Sequence, residues 1–160
     1  MFTLVRALTY AVLFIGLVLV LLPAQVLQWA GVARPAHDGL PQVLGTALVV
    51  LGGVLAISCV VTFALRGRGT PAPFDPPRRL VRSGPYRFVR NPMYWGAFIA
   101  LLGAALFYES RALAAYAFIF IGVIDRFVRW YEEPTLRRLF GEEYAAYFRE
   151  VGRWWPVRRG

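Results

Sequence analysis

The chain of 160 residues contains no lysine, a single cysteine and a single histidine. Each shortage removes a class of function. Cys59 lies within an apolar run and has no second thiol to pair with, so no disulfide forms inside the chain. With His37 as the sole imidazole, there is no Cys/His set for a zinc site, and hence no metal centre of that kind. His37 stands beside Asp38 between turn-forming residues, where a solvated loop residue fits better than the base of a Ser-His-Asp triad. Acids are also scarce, nine against eighteen arginines, for a net charge of +9. The absence of lysine reads first as the codon bias of a GC-rich genome. The guanidinium also suits bidentate contact with carboxylate and phosphate, so composition and function do not conflict.

What the chain has in excess is apolar surface, with 58% hydrophobic residues. A soluble domain of this length seldom carries so much. The arginines cluster between apolar runs instead of spreading over a surface. That pattern fits anionic lipid headgroups and the positive-inside rule, and argues against nucleic acid as partner. The length suits one domain, 1–160, with two N-terminal spans in 1–65 and a functional region in 66–156.

Leu4–Leu22 reads as a first membrane span, retained because no small-x-small cleavage site follows Pro23. Pro23 to Gly39 reads as a loop, and Leu40–Leu65 as a second span in which Gly52 and Ala56 share a close-packing face. Arg66 to Asn91 holds seven arginines against one acid, with too many prolines for a long helix, and reads as a folded lid or linker. Tyr94–Tyr108 and Ala112–Phe127 read as a tight helical hairpin, with Gly96, Ala100 and Ala104 forming a smooth face. Thr135–Val151 reads as an amphipathic helix weakened at Gly141, and Trp154, Trp155 and Pro156 close the fold. The expected fold is therefore an all-α integral membrane protein of about four spans. Arginine counts of one in each outer connection, and seven in both the linker and the tail, place linker and C-terminus on the cytoplasmic side.

That topology brings Gly84–Gly96, GPYRFVRNPMYWG, to the same membrane face as Glu132 and Glu133. The charges there have two readings. Arginines such as Arg78, Arg79, Arg158 and Arg159 read as lipid-phosphate contacts that fix topology. Glu133 reads either as half of an i,i+4 pair with Arg129 or as a carboxylate lining a pocket for a cation or ribose hydroxyls.

The pattern GxG at Gly67 to Gly69, then GPYRFVRNPMYWG, then Glu132-Glu133, then LFGEEYAAYFREVGRWWP resembles the isoprenylcysteine carboxyl methyltransferase and phospholipid methyltransferase group. The resemblance implies an integral membrane enzyme that uses S-adenosylmethionine in a pocket on the cytoplasmic side, here the inner membrane of a bacterium. Carried over by position, it implies cofactor contacts at Gly67, Gly69, Arg90, Asn91, Pro92, Tyr94, Glu132 and Glu133. The family usually has histidine where this chain has Asn91, which cannot carry a positive charge.

Methyl transfer from a sulfonium needs alignment and exclusion of water more than a protein nucleophile. For a carboxylate of a lipid-like or prenylated substrate, Arg153 is the expected orienting group. For an amine, Glu133 or Glu132 would take the proton. Three functions follow: a carboxyl methyltransferase, a phospholipid N-methyltransferase or thiol S-methyltransferase, and a non-catalytic membrane protein of the same fold.

Overall fold

A computed structural model describes residues 15–37, 39–67 and 79–157, and every regular element among them is helical. Most of the first apolar run, together with Gly69, Arg78, Arg158 and Arg159, lies outside the described residues.

A π-helical segment, Ile15–Leu21, runs directly into α1, Leu22–Trp29. Pro23 therefore does not end the first helix, contrary to its reading as a loop residue. It sits in the first turn of α1. Proline has no amide hydrogen to donate and its ring crowds the carbonyl four residues back. The wider π turn ahead of it relieves both problems.

Helix α2, Leu40–Thr62, continues through a π-helical end, Phe63–Gly67, as one run of 28 residues. Arg66 and Gly67 are thus helical and do not belong to the linker. At 1.5 Å per residue the run is about 42 Å long, enough to cross a bilayer core. Only 12% of its most apolar stretch is buried, so its apolar sides face outward, unlike those of a soluble core helix. Among the described residues it is the one helix long and apolar enough to span. Gly16–Trp29 and Pro92–Phe107 are apolar but shorter.

Helix α3, Pro92–Phe107, packs against α2 backbone to backbone. A Cβ added at Gly52 would stand 2.7 Å from the Ala100 nitrogen, and one at Gly96 2.7 Å from the Gly52 carbonyl oxygen. Two turns away, a Cβ at Gly45 or at Gly103 would meet the other glycine's carbonyl at 2.7 Å. The glycines recur at seven-residue spacing on each helix, so both contacts fall on one face. This is the close approach that small residues permit between helices in lipid, where burying apolar surface drives nothing.

The hairpin turn is as short as expected. Ser110 caps α4, Arg111–Phe127, by accepting the Leu113 N–H at 3.2 Å, while Glu109 takes a left-handed φ of 47°. Gln42 of α2 donates to the Phe107 carbonyl at 3.0 Å and to the Glu109 carboxylate at 3.1 Å, which satisfies the open end of α3. Tyr94, Ala97, Phe98 and Leu101 of α3 form a core with Ala117, Phe120 and Ile124 of α4.

Beyond Phe127 the chain passes through a second π-helical segment, Val128–Glu132, into α5, Glu133–Glu150. Pro134 is the second residue of α5, as Pro23 is of α1, and it again follows a π turn. Gly141 (φ 49°, ψ −124°) breaks α5 in two, in line with the weak point expected there. The second half folds back so that Tyr144 and Tyr147 pack with Val151, Leu80 and Phe148.

The glycine contact yields a matched pair of expectations. Gly52→Ala costs about 1–3 kcal/mol of stability by forcing α2 and α3 apart. Gly53→Ala, with open space around its Cβ position, costs nothing measurable. Thermal unfolding of the two variants in detergent checks the contrast, and equal midpoints would rule out backbone packing at this face.

Candidate functional site

Between α2 and α3 the linker descends through a 3-10 turn, Gly84–Arg87. Buried Tyr86 fastens it. Its ring meets Phe63 edge-on at 5.0 Å, and its carbonyl accepts the Tyr147 hydroxyl at 2.6 Å. Val89 then forms a parallel bridge with Gly152, and the Arg90 N–H donates to the Gly152 carbonyl at 2.9 Å. The residues leading into α3 therefore run alongside the closing segment of the chain.

That alignment places two guanidiniums on one carboxylate. Arg153 donates through Nε and Nη2 to the two oxygens of Glu133, each at 2.7 Å. Arg90 donates through Nη2 to Glu133 Oε1 at 2.9 Å and through Nη1 to the Phe148 carbonyl at 3.2 Å. The side chains of Arg90 and Glu133 are 6% and 9% exposed, so this is a buried cluster and not a solvated surface pair. The Arg90 guanidinium also lies over the Phe148 ring, 3.9 Å from its centroid. Burial pulls Arg90 below the usual arginine range, whereas its bidentate bond to Glu133 pushes Arg153 above it. Arg90 Nε is buried and has no hydrogen-bond partner among the described residues.

Glu132 points elsewhere, because adjacent residues on a helix leave it in different directions. Its carboxylate accepts the Tyr94 hydroxyl at 3.0 Å. The residue is partly exposed, yet its carboxyl end is enclosed, and that burial, reinforced by the charge of Glu133 and opposed by the Tyr94 bond, raises it to about 7. The two neighbouring acids are thus chemically distinct. Glu133 has both oxygens taken by guanidinium donors, whereas Glu132 is poised to hold or release a proton near neutral pH.

Asn91 and Pro92 are both buried at the start of α3, and the Asn91 amide donates to the Arg153 carbonyl at 3.3 Å. Arg90, Asn91, Pro92, Tyr94, Glu132, Glu133 and Arg153 therefore converge. Gly67 does not join them through any hydrogen bond among the described residues. It ends the long helix, and its carbonyl accepts the Arg79 N–H at 3.3 Å. Gly69 lies outside the described residues. The i,i+4 pair of Arg129 with Glu133 does not form. Arg129 turns back to Asp125 at 2.7 Å, because Glu133 is already occupied by two buried guanidiniums. Two neighbours of the cluster escaped the sequence reading. Asp125 accepts the Trp154 indole N–H at 2.7 Å, and Phe148 supplies the ring and the carbonyl for Arg90. An acid at the end of an otherwise apolar helix was the available signal for Asp125.

Among the described residues the regular elements are all helical, one helix is long and apolar enough to cross a membrane, and a buried charged cluster is fed by three separate segments, which fits a membrane protein with a polar site at one end of its helices. The phospholipid methyltransferase family model matches residues 40–143, more than half of the chain, and the protein belongs to that family, a group of membrane methyltransferases. No curated protein and no solved structure matches it.

Glu133→Gln leaves two buried cations sharing a neutral amide, and should lower stability by about 3–5 kcal/mol, read as a fall in unfolding midpoint. Glu132 makes stability depend on pH. Its folded pKa is raised, so the folded state binds the extra proton and this group's contribution to stability is lost as pH rises from about 4.5 to about 7. Glu132→Gln should flatten the pH dependence of the unfolding midpoint over that window. An unchanged slope would show that its carboxyl titrates normally.

Proposed function

We propose that this protein is an S-adenosylmethionine-dependent methyltransferase acting at the membrane surface on a lipid-like acceptor. One observation carries the reading: the RNPMY motif and the Glu132-Glu133 pair share a single buried cluster, although they lie about forty residues apart. The arginine distribution supports four spans, with this cluster on the cytoplasmic side.

The residues fit the cofactor's chemistry. Arg90 Nε is a buried donor still lacking an acceptor, as a carboxylate would supply. The enclosed Glu132 carboxyl, bonded to Tyr94 alone among the described residues, suits ribose hydroxyls or a cationic group. Bound there, S-adenosylmethionine supplies an electrophilic methyl group. Arg90, Asn91, Pro92, Tyr94 and Glu132 would hold and orient the ligand, with Glu133 fixing the arginines around them, and the aromatic surroundings would exclude water.

The geometry also bears on the acceptor. For a carboxylate acceptor, Arg153 is the expected orienting group. Two of that guanidinium's three nitrogens are held by Glu133, and Arg90 spends both terminal nitrogens inside the protein. Glu133 is equally unsuited to act as a base. Glu132, by contrast, can accept a proton near neutral pH, as an amine acceptor requires. A phospholipid amine is therefore favoured over a prenylated carboxylate or a thiol.

Titration of the purified protein with S-adenosylmethionine tests the reading. Binding in the micromolar range, weakened at least about tenfold by Glu132→Gln and by Tyr94→Phe, is expected. Absence of binding would leave a non-catalytic membrane protein of the same fold. A radiolabelled methyl donor supplied with membrane extract should then give base-stable label in phospholipid. Base-labile label would instead mark a carboxyl ester.

A further inference from the structure

The closing segment is tethered at several points. Three successive carbonyls, those of Gly152, Arg153 and Trp154, accept hydrogen bonds from the Arg90 N–H, the Asn91 amide and the Trp95 indole at 2.9, 3.3 and 2.9 Å. All three donors lead into or open α3. A single side-chain bond reaches the other helix of the hairpin: the Trp154 indole N–H donates to Asp125 Oδ1 at 2.7 Å. Asp125 is itself fixed, because its second oxygen accepts from Arg129 Nε at 2.7 Å. Trp154 is therefore gripped at two points, its carbonyl by α3 and its indole by α4.

From this we infer that Asp125 and Trp154 are positioning residues that set the Arg153 guanidinium flat against Glu133. A bidentate guanidinium–carboxylate contact has a fixed planar geometry. Arg153 is only partly buried, its side chain 21% exposed, and it follows a helix end, so packing alone does not hold it. The residue next to it supplies what packing does not. Glu133 is thereby kept occupied, and Glu132 remains the carboxyl that faces a ligand. The inference rests on the reading of this cluster as the cofactor site.

Trp154→Phe removes the indole N–H while leaving an aromatic ring against Trp95. Asp125→Leu removes the acceptor, and Asp125→Asn retains an oxygen for the indole. For each variant, S-adenosylmethionine affinity, unfolding midpoint and amide hydrogen exchange at Arg90 are measured in detergent. Affinity should fall roughly tenfold in Trp154→Phe and Asp125→Leu, with no further loss in the double variant. Asp125→Asn should stay within about twofold of the parent protein. Additive losses, or losses that merely track the unfolding midpoint, overturn the inference. So does an unchanged affinity in Trp154→Phe. If the parent protein binds no S-adenosylmethionine, the functional reading fails instead. Exchange at Arg90, whose amide bonds to Gly152, then decides this point: acceleration in Trp154→Phe supports the clamp and unchanged exchange overturns it.

Discussion

One carboxylate shared by two guanidiniums is the point at which this chain closes on itself. Glu133 is 43 residues from Arg90 and 20 from Arg153, and no other group among the described residues draws together the linker, the hairpin's exit and the closing segment in this way. Such a cluster adds little net stability, since desolvating three charges offsets much of their attraction. Its effect is on specificity. Any arrangement that leaves one of the three charges unpaired in a poorly hydrated place is strongly disfavoured.

The cluster has a rigid base. Gly45 and Gly52 on α2, facing Gly103 and Gly96 on α3, let two backbones touch, and α3 begins at the residue after Asn91. The π turn Val128–Glu132 then sets the direction in which the acidic pair leaves α4. Because Glu132 and Glu133 are consecutive on a helix, they cannot face the same partner. One meets a tyrosine and the other two arginines. A pair of identical residues thereby becomes one carboxylate held by two guanidiniums and one titratable acid.

Much of this arrangement was legible in the sequence, and the gaps have physical causes. Small residues at helical spacing announced the α2–α3 face, since nothing bulkier fits between touching backbones. The break at Gly141 followed from glycine's backbone freedom. Pro23 misled, because its effect depends on the turn before it, and a π turn leaves no trace in composition. The pairing of Arg129 misled for another reason: i,i+4 spacing offers two acids, Asp125 behind and Glu133 ahead, and only the tertiary competition for Glu133 decides between them. The same holds for Arg90 and Arg153. Spacing shows that they are available, and the fold alone shows that they meet.

The order of the segments along the chain has a consequence for assembly. Translation releases α2 and α3 well before Arg153, so the glycine-faced pair can form while the ribosome is still at work. Glu133 then emerges ahead of its second guanidinium. Until residues 151–155 dock, Glu133 lacks the Arg153 guanidinium and the Val89–Gly152 bridge is unformed. Burial of Glu133 therefore depends on residues 151–155 docking along the segment that precedes α3.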